Sequence, residues 1–295
     1  MKIAVTGASG FIGGNLCFYL EKNGYTVYPI CNTTNLVSDH FGKNCYFSGV
    51  FGVREKVFSQ VDGIMHMSAN NDTLSDQSYE MIKANVIESK NLLKLALKYK
   101  HKFFVYASST AVYGQTDLTL DESVITNPAN VYAKSKLAFD NYMLKTNPNI
   151  KWCGLRFCNV YGPYEQDKGR RSSYLGQIIK TMMDGKKVKL FEHGEQKRDW
   201  VHVEDICQAC CKSIYTKENS IYNIGSGRSI SFNDLFDNIA SKLMIFDKPK
   251  YILNKQKEQY QNFTQVDFKK ATKNFGYFPE YDLDKGIEEY IEYIK

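Results

Sequence analysis

The stretch that most restricts this chain is its first thirteen residues. Lys2-Ile3-Ala4-Val5-Thr6 is short and largely apolar, which suits a buried strand, and it runs straight into Gly7-Ala8-Ser9-Gly10-Phe11-Ile12-Gly13. A helical pattern to about Asn23 follows. A strand, a glycine turn and a helix N-terminus in that order gather backbone N–H groups around one point, with the positive end of a helix dipole behind them. Such a point suits a pyrophosphate. The glycines here are spaced GxxGxxG, so Gly7, Gly10, Phe11, Ile12 and Gly13 are candidates for contact with a dinucleotide. Loops of this kind serve many dinucleotide-binding proteins, so the motif indicates a ligand class and no reaction.

The rest of the first half repeats the alternation. Tyr25 to Cys31, Cys45 to Val50, Gly63 to Met67, Lys102 to Ser108 and Lys151 to Phe157 read as strands, with helices at Val53–Gln60 and Tyr79–Tyr99. Strands alternating with helices predict an α/β fold, a Rossmann-type doubly wound parallel sheet. The second strand of such a sheet normally ends in an acidic residue that holds the adenosine ribose of NAD. Here it ends in Cys31-Asn32-Thr33-Thr34, with no carboxylate to repel a 2′-phosphate and no arginine to attract one. Asn32 is the candidate contact, and the expected cofactor is NADP, with NAD possible. The fifth strand leads into Ala107-Ser108-Ser109-Thr110-Ala111-Val112-Tyr113-Gly114, which places hydroxyls at the carboxyl edge where such sheets bind ligands.

Beyond Phe157 the pattern is less regular. Asn159 to Arg171 is a polar loop with a basic end, and helices are expected at Ser173–Asp184, Phe232–Ile245 and Gly286–Tyr293. Arg198 to Val203 reads as a return towards the sheet, and Tyr222 to Gly227 as a strand end. The expected division is a dinucleotide-binding domain at 1–160 with a return segment at about 200–226. Residues 161–199 and 227–295 then form a smaller, mostly helical substrate-binding lobe. At 295 residues and 43% hydrophobic content there is ample material for both cores.

A net charge of +6, spread along the chain, gives no reason to expect nucleic acid. Met1-Lys2 shows no signal pattern and no apolar run is long enough to span a bilayer, so no membrane partner and a cytoplasmic location are expected. Of the eight cysteines, Cys207, Cys210 and Cys211 cluster, but they fall in an apolar helical pattern from Val203 to Tyr215 and read as buried thiols. The five histidines form no i, i+4 pair, and no metal is expected.

Chemistry is concentrated in Asn130-Val131-Tyr132-Ala133-Lys134-Ser135-Lys136. On a helix, Tyr132 and Lys136 share a face. A tyrosine of ordinary pKa, about 10, is a poor base at neutral pH. An ammonium about 4 Å from the phenol would favour the phenolate by roughly 4 kcal/mol, or about three pK units. Such a pair can take a proton from a sugar hydroxyl.

The glycine loop, the Ser-Ser-x-x-Val-Tyr-Gly stretch and the Tyr-x-x-x-Lys pair occur in the order and at the distances that characterise the extended short-chain dehydrogenase/reductases, the NDP-sugar epimerases, dehydratases and reductases. The resemblance covers essentially the whole chain. It implies that Ser109 bonds the reacting oxygen, that Tyr132 is the acid/base, and that Lys136 binds the nicotinamide ribose and lowers the tyrosine pKa. It also implies cofactor contacts at Ser68, Ala69, Asn85 and Val160, a nucleotide-diphosphate sugar as substrate, and a homo-oligomer. The dehydratases carry an acidic residue just after the position of Ser109; Thr110 and Ala111 stand here, which disfavours elimination of water.

Within that family, Gly162-Pro163 through Lys168-Gly169, then Lys189-Leu190-Phe191-Glu192, Lys197-Arg198-Asp199 and Tyr260 to Asp267 resemble the ADP-glycero-manno-heptose 6-epimerases. The resemblance implies that the C6 hydroxyl of the sugar is oxidised to a ketone, that the ketone turns, and that hydride returns to its other face. Lys168 would then share proton transfer with Tyr132. Asn159, Gln177 (in place of a histidine), Phe191, Glu192, Arg198 and Tyr260 would line the substrate site, with Arg198 as the diphosphate clamp. An NDP-4-keto-sugar reductase or an NDP-hexose 4-epimerase is the alternative on the same fold, and a non-catalytic dinucleotide-sensing subunit is a third reading.

Overall fold

The computed structural model describes residues 1–33, 36–42, 45–47, 53–72, 77–165, 169, 172–254 and 261–295. In chain order the first half runs β1 (Lys2–Thr6), α1 (Phe11–Lys22), β2 (Thr26–Cys31), α2 (Leu36–Phe41), β3 (Tyr46–Phe47), α3 (Val53–Phe58) and β4 (Gly63–His66). It continues with α4 (Ser78–Ile82), a π-helical turn at Lys83–Ile87, α5 (Glu88–Lys98), β5 (Phe103–Ser109), α6 (Val131–Thr146) and β6 (Lys151–Phe157). The second half contains β7 (Asn159–Tyr161), α7 (Tyr174–Met183), β8 (Lys189–Phe191), β9 (Lys197–His202), α8 (Val203–Ser213) and β10 (Ser220–Ile224). It ends with β11 (Ser229–Ser231), α9 (Phe232–Leu243), β12 (Lys250–Ile252), α10 (Lys269–Phe275) and α11 (Leu283–Ile294).

Among the described residues, seven parallel strands form the main sheet in the order β10-β6-β5-β4-β1-β2-β3. The strand order reverses beside β1, where a doubly wound sheet opens a crevice at its carboxyl edge. Alternate strand residues go to opposite faces. Ile3, Val5, Met65 and Val105 pack on one side with Leu16, Leu20, Ile206 and Cys210 of α1 and α8. Ala4, Ile64, Phe104 and Tyr106 pack on the other with Val57, Leu92, Leu93, Ala96, Phe139 and Met143 of α3, α5 and α6. A third core unites α7, α9 and α11 around Leu175, Ile179, Leu235, Ile239, Ile287 and Trp200.

Several boundaries differ from the sequence reading. Of the strand expected at Cys45–Val50, Tyr46–Phe47 is seen, and residues 48–50 lie outside the described residues. The segment Arg198–Val203 does not return to the main sheet. As β9 it pairs with β7 and β11 in a separate three-stranded sheet, and the chain rejoins the main sheet after α8, at β10. The helix expected at Tyr79–Tyr99 spans Ser78–Lys98 with the π turn in its middle. Besides its helices, the second half carries, among the described residues, a further small sheet that pairs β8 with β12.

Candidate active site

A cavity of about 760 Å³ opens over the carboxyl ends of β1, β2, β4 and β5. Its floor is the glycine turn. Gly7 has φ of +73°, and a side chain there would lie 2.7 Å from the backbone of Ser68; one at Gly13 would run into the Gly7 carbonyl. Only glycine lets the turn sit this close to both the next strand and its own helix. Gly10, Phe11 and Ile12 also line the cavity, as do Asn32, Ser68, Ala69 and Val160, all of them cofactor candidates from the sequence. The Ser9 hydroxyl accepts the Asn32 N–H at 3.1 Å and joins the turn to the end of β2. A groove of this size, floored by a turn with no room for a Cβ and by the N-terminus of α1, fits a dinucleotide.

At the other end of the groove stand Ser109, Tyr132 and Lys136. The Asn130 side chain caps α6 by accepting the Ala133 N–H at 2.8 Å, which starts the helix at Val131 and points Tyr132 into the groove. Ser109, at the end of β5, lines the groove beside Tyr132. Burial pushes the Tyr132 phenol above its ordinary pKa, and the nearby Ser109 hydroxyl pulls it partly back. The Lys136 ammonium is 5.9 Å from the centre of the Tyr132 ring and donates to the Ala107 carbonyl at 2.9 Å. The Ala107 carbonyl thus holds the lysine ammonium on the same wall of the groove as the Tyr132 ring. Burial pulls Lys136 down to about 8, and the Asp140 carboxylate opposes the fall.

Asn85 does not line the cavity. It is buried in the π turn, where its side chain bonds both the N–H (2.7 Å) and the carbonyl (2.9 Å) of Asn70 and donates to the Ser135 hydroxyl at 2.9 Å. It braces the segment that follows Ser68 and Ala69 against the Tyr132 helix. The sequence shows such a residue's polarity and not the direction in which it points.

Of the residues expected to hold substrate, Ser109 lines the cavity, while Asn159, Gln177, Phe191, Glu192 and Arg198 lie off its lining. Arg198 is buried and donates to the carbonyls of Lys197 and Gln261, over the ring of Phe232. Phe232 meets Tyr174 edge-on, and Tyr174 stacks on Phe191. Gln177 donates to the Ser172 carbonyl at 2.9 Å, Glu192 accepts the Asn254 N–H at 3.3 Å, and Asn159 donates to the Asp199 carbonyl and the Thr264 hydroxyl, both at 3.1 Å. Lys168 and Tyr260 lie outside the described residues.

Sequence reasoning missed the wall on the α1 side. Phe18 and Tyr164 face the cavity with their rings 6.0 Å apart, and Tyr164 meets Tyr293 of α11 edge-on at 5.0 Å. Glu165, fully buried, also lines it and takes the N–H and hydroxyl of Ser173 at 2.6 and 2.7 Å. Nothing in the local pattern marks these residues, because their role depends on α1 and α11 meeting the same loop.

A family model described as the NAD dependent epimerase/dehydratase family matches residues 3–225. Among solved structures, the ADP-L-glycero-D-manno-heptose-6-epimerase of Helicobacter pylori is 31% identical, with 99% of this chain and 96% of that one aligned at a TM-score of 0.89. The UDP-glucose 4-epimerase of Thermotoga maritima, solved with UDP-glucose, is 26% identical, with 100% and 98% aligned at a TM-score of 0.90. A UDP-N-acetylglucosamine 4-epimerase from Methanobrevibacter ruminantium shares the fold, at 22% identity, 99% and 97% coverage and a TM-score of 0.91. Together with the glycine-floored groove and the serine, tyrosine and lysine at its end, these matches lead to one conclusion: the chain belongs to the NAD dependent epimerase/dehydratase family.

Proposed function

We propose that this chain epimerises a nucleotide-diphosphate sugar, and that its substrate is ADP-D-glycero-D-manno-heptose or a close relative, inverted at C6. The observation that carries the sugar assignment is the 31% identity to the Helicobacter pylori enzyme over nearly the whole of both chains, against 26% to the Thermotoga maritima 4-epimerase. The motifs of the second half, from Gly162-Pro163 to Phe263-Thr264, support it.

Gly7, Gly10, Phe11, Ile12, Gly13, Asn32, Ser68, Ala69 and Val160 would hold the dinucleotide in residues 1–160, and 161–199 with 227–295 would hold the sugar. A bound nicotinamide supplies a hydride acceptor and returns the same hydride. NADP is the assigned form, because Asn32 and Thr33 at the adenosine end carry no carboxylate. Ser109 orients the reacting oxygen, and Tyr132 takes and returns its proton. Lys136 holds the ribose and, once dinucleotide occupies the groove, supplies positive charge beside the phenol. A proton partner on each side of the ketone is useful to inversion, and Lys168 is assigned the second.

The test is to incubate purified protein with ADP-D-glycero-D-manno-heptose, no cofactor added, and follow C6 by NMR. Conversion to the L-glycero epimer is expected. No conversion, with turnover of UDP-glucose or consumption of NADPH with a 4-keto sugar, would replace this substrate with those of the 4-epimerases or reductases.

A further inference from the structure

We propose that Asp140 is a positioning residue of this active site: held in a buried column of hydrogen bonds one helical turn beyond Lys136, its carboxylate keeps the lysine ammonium charged where it meets the groove. The proposal rests on the reading of Lys136 as the charged group that binds the dinucleotide.

Tyr132, Lys136 and Asp140 are spaced by four residues on α6 and so share one face. Strand β5 meets that face. The Ala107 carbonyl takes Lys136 at 2.9 Å, while the Tyr106 and Ser108 hydroxyls on either side donate to Asp140 at 3.1 and 3.0 Å. Strand β6 adds Arg156, register partner of Ser108, whose Nε donates to the same carboxylate at 3.0 Å. Gly154, register partner of Tyr106, leaves the room that the Tyr106 hydroxyl occupies; a side chain there would collide with it. Three elements thus converge on one carboxylate with no exposed surface.

The charges are as buried as the carboxylate: Lys136 is 6% exposed and Arg156 is 4% exposed. Burying ions in a sheet core is costly, and apolar side chains of similar volume often serve stability as well or better. The arrangement therefore calls for a role beyond packing. Facing Lys136 and Asp140 are the Tyr132 phenol from α6, Tyr106 from β5 and Arg156 from β6. Behind Arg156 is Tyr113, whose hydroxyl accepts Arg156 Nη1 at 2.9 Å and donates to Asn223 at 2.8 Å; the Glu122 carboxylate accepts the Asn223 N–H at 2.7 Å. In this set Asp140 is the anion that opposes the effect of burial on Lys136. Without it, Lys136 would share its buried surroundings with Arg156 alone.

NADH and NADPH binding, read by nicotinamide fluorescence between pH 6 and 10, tests this. Wild-type affinity should fall as pH rises through about 8, and Lys136→Met should remove that limb. In Asp140→Asn the midpoint should drop by about one pH unit or more, and Asp140→Glu should restore it. Asp140→Asn combined with Arg156→Gln removes both members of the buried Asp140–Arg156 pair, stands in if the single variant does not fold, and should also lower the midpoint. An unmoved midpoint in whichever variant folds, or a limb that survives Lys136→Met, would overturn the proposal and leave Asp140 a structural residue. Failure of the wild type to bind either dinucleotide would instead strike the reading of the groove.

Discussion

Tyr132 shows how much of a site a single residue can carry. Burial raises its phenol above the ordinary value and so favours the protonated form at neutral pH. Removing only the hydroxyl, Tyr132→Phe, should lower kcat by about 10² to 10⁴ with the thermal midpoint near wild type. Full turnover by that variant would remove Tyr132 from the chemistry. The opposite kind of residue is Gly154, remote from the groove. Gly154→Ala overfills the space under Tyr106 and should cost about 1–3 kcal/mol in urea unfolding; an unchanged midpoint would show that the Tyr106–Asp140 contact yields freely. The spacing of Tyr132 and Lys136 was readable at once, since it needs only helical periodicity. Asp140 lies on that same repeat, yet its meaning depends on Arg156 in a different strand, and Arg198 and Asn85 were legible as polar residues without their direction.

Among the elements, α8 begins unusually. Its cap is His202, whose Nδ1 accepts the Glu204 N–H at 3.3 Å while its ring stacks on Tyr281 at 3.9 Å. Burial, with Lys285 adding to it, lowers the imidazole to about 4. The unfolded chain binds this proton near the ordinary value of about 6.5, so the stability His202 contributes is present above that pH and lost as pH falls towards 4. Between pH 7 and pH 5 the loss should be about 2 kcal/mol by linkage. His202→Asn, which keeps a capping side chain, should flatten the dependence measured by urea unfolding at the two pH values. An equal acid loss in the variant would place the sensitive group elsewhere. The long elements were legible because their apolar periods run over many residues. The three-residue strands β7, β8, β11 and β12 offer no period, and Arg198–Val203 was misplaced because a strand's sequence names no partner.

At the scale of the molecule, polar clamps tie together segments far apart in the chain. The buried Asp199 carboxylate accepts the Ser226 N–H and hydroxyl at 2.8 and 2.7 Å, the Gly227 N–H at 3.0 Å and the Val266 N–H at 3.1 Å. It joins β9, the turn after β10 and the segment leading to α10. Asp199→Asn turns an NH2 group towards those donors and should cost about 1–3 kcal/mol, with faster amide exchange at Ser226, Gly227 and Val266. Protection equal to wild type there would show the clamp to be dispensable. Across the groove, the Asn15 side chain donates to the Pro163 carbonyl at 2.9 Å, so α1 is bound to the loop that carries Tyr164.

The place of β10 in the sheet has a consequence for biosynthesis. Strand β6 is paired on one side with β5, and on the other with residues that lie beyond β7, α7, β8, β9 and α8 in the chain. While the ribosome is still making those elements, β6 is an open edge with apolar neighbours, the kind of surface that recruits strands from other chains. Nascent chains halted before Ser220 should therefore aggregate or hold chaperones, and chains released after Ile224 has joined the sheet should not.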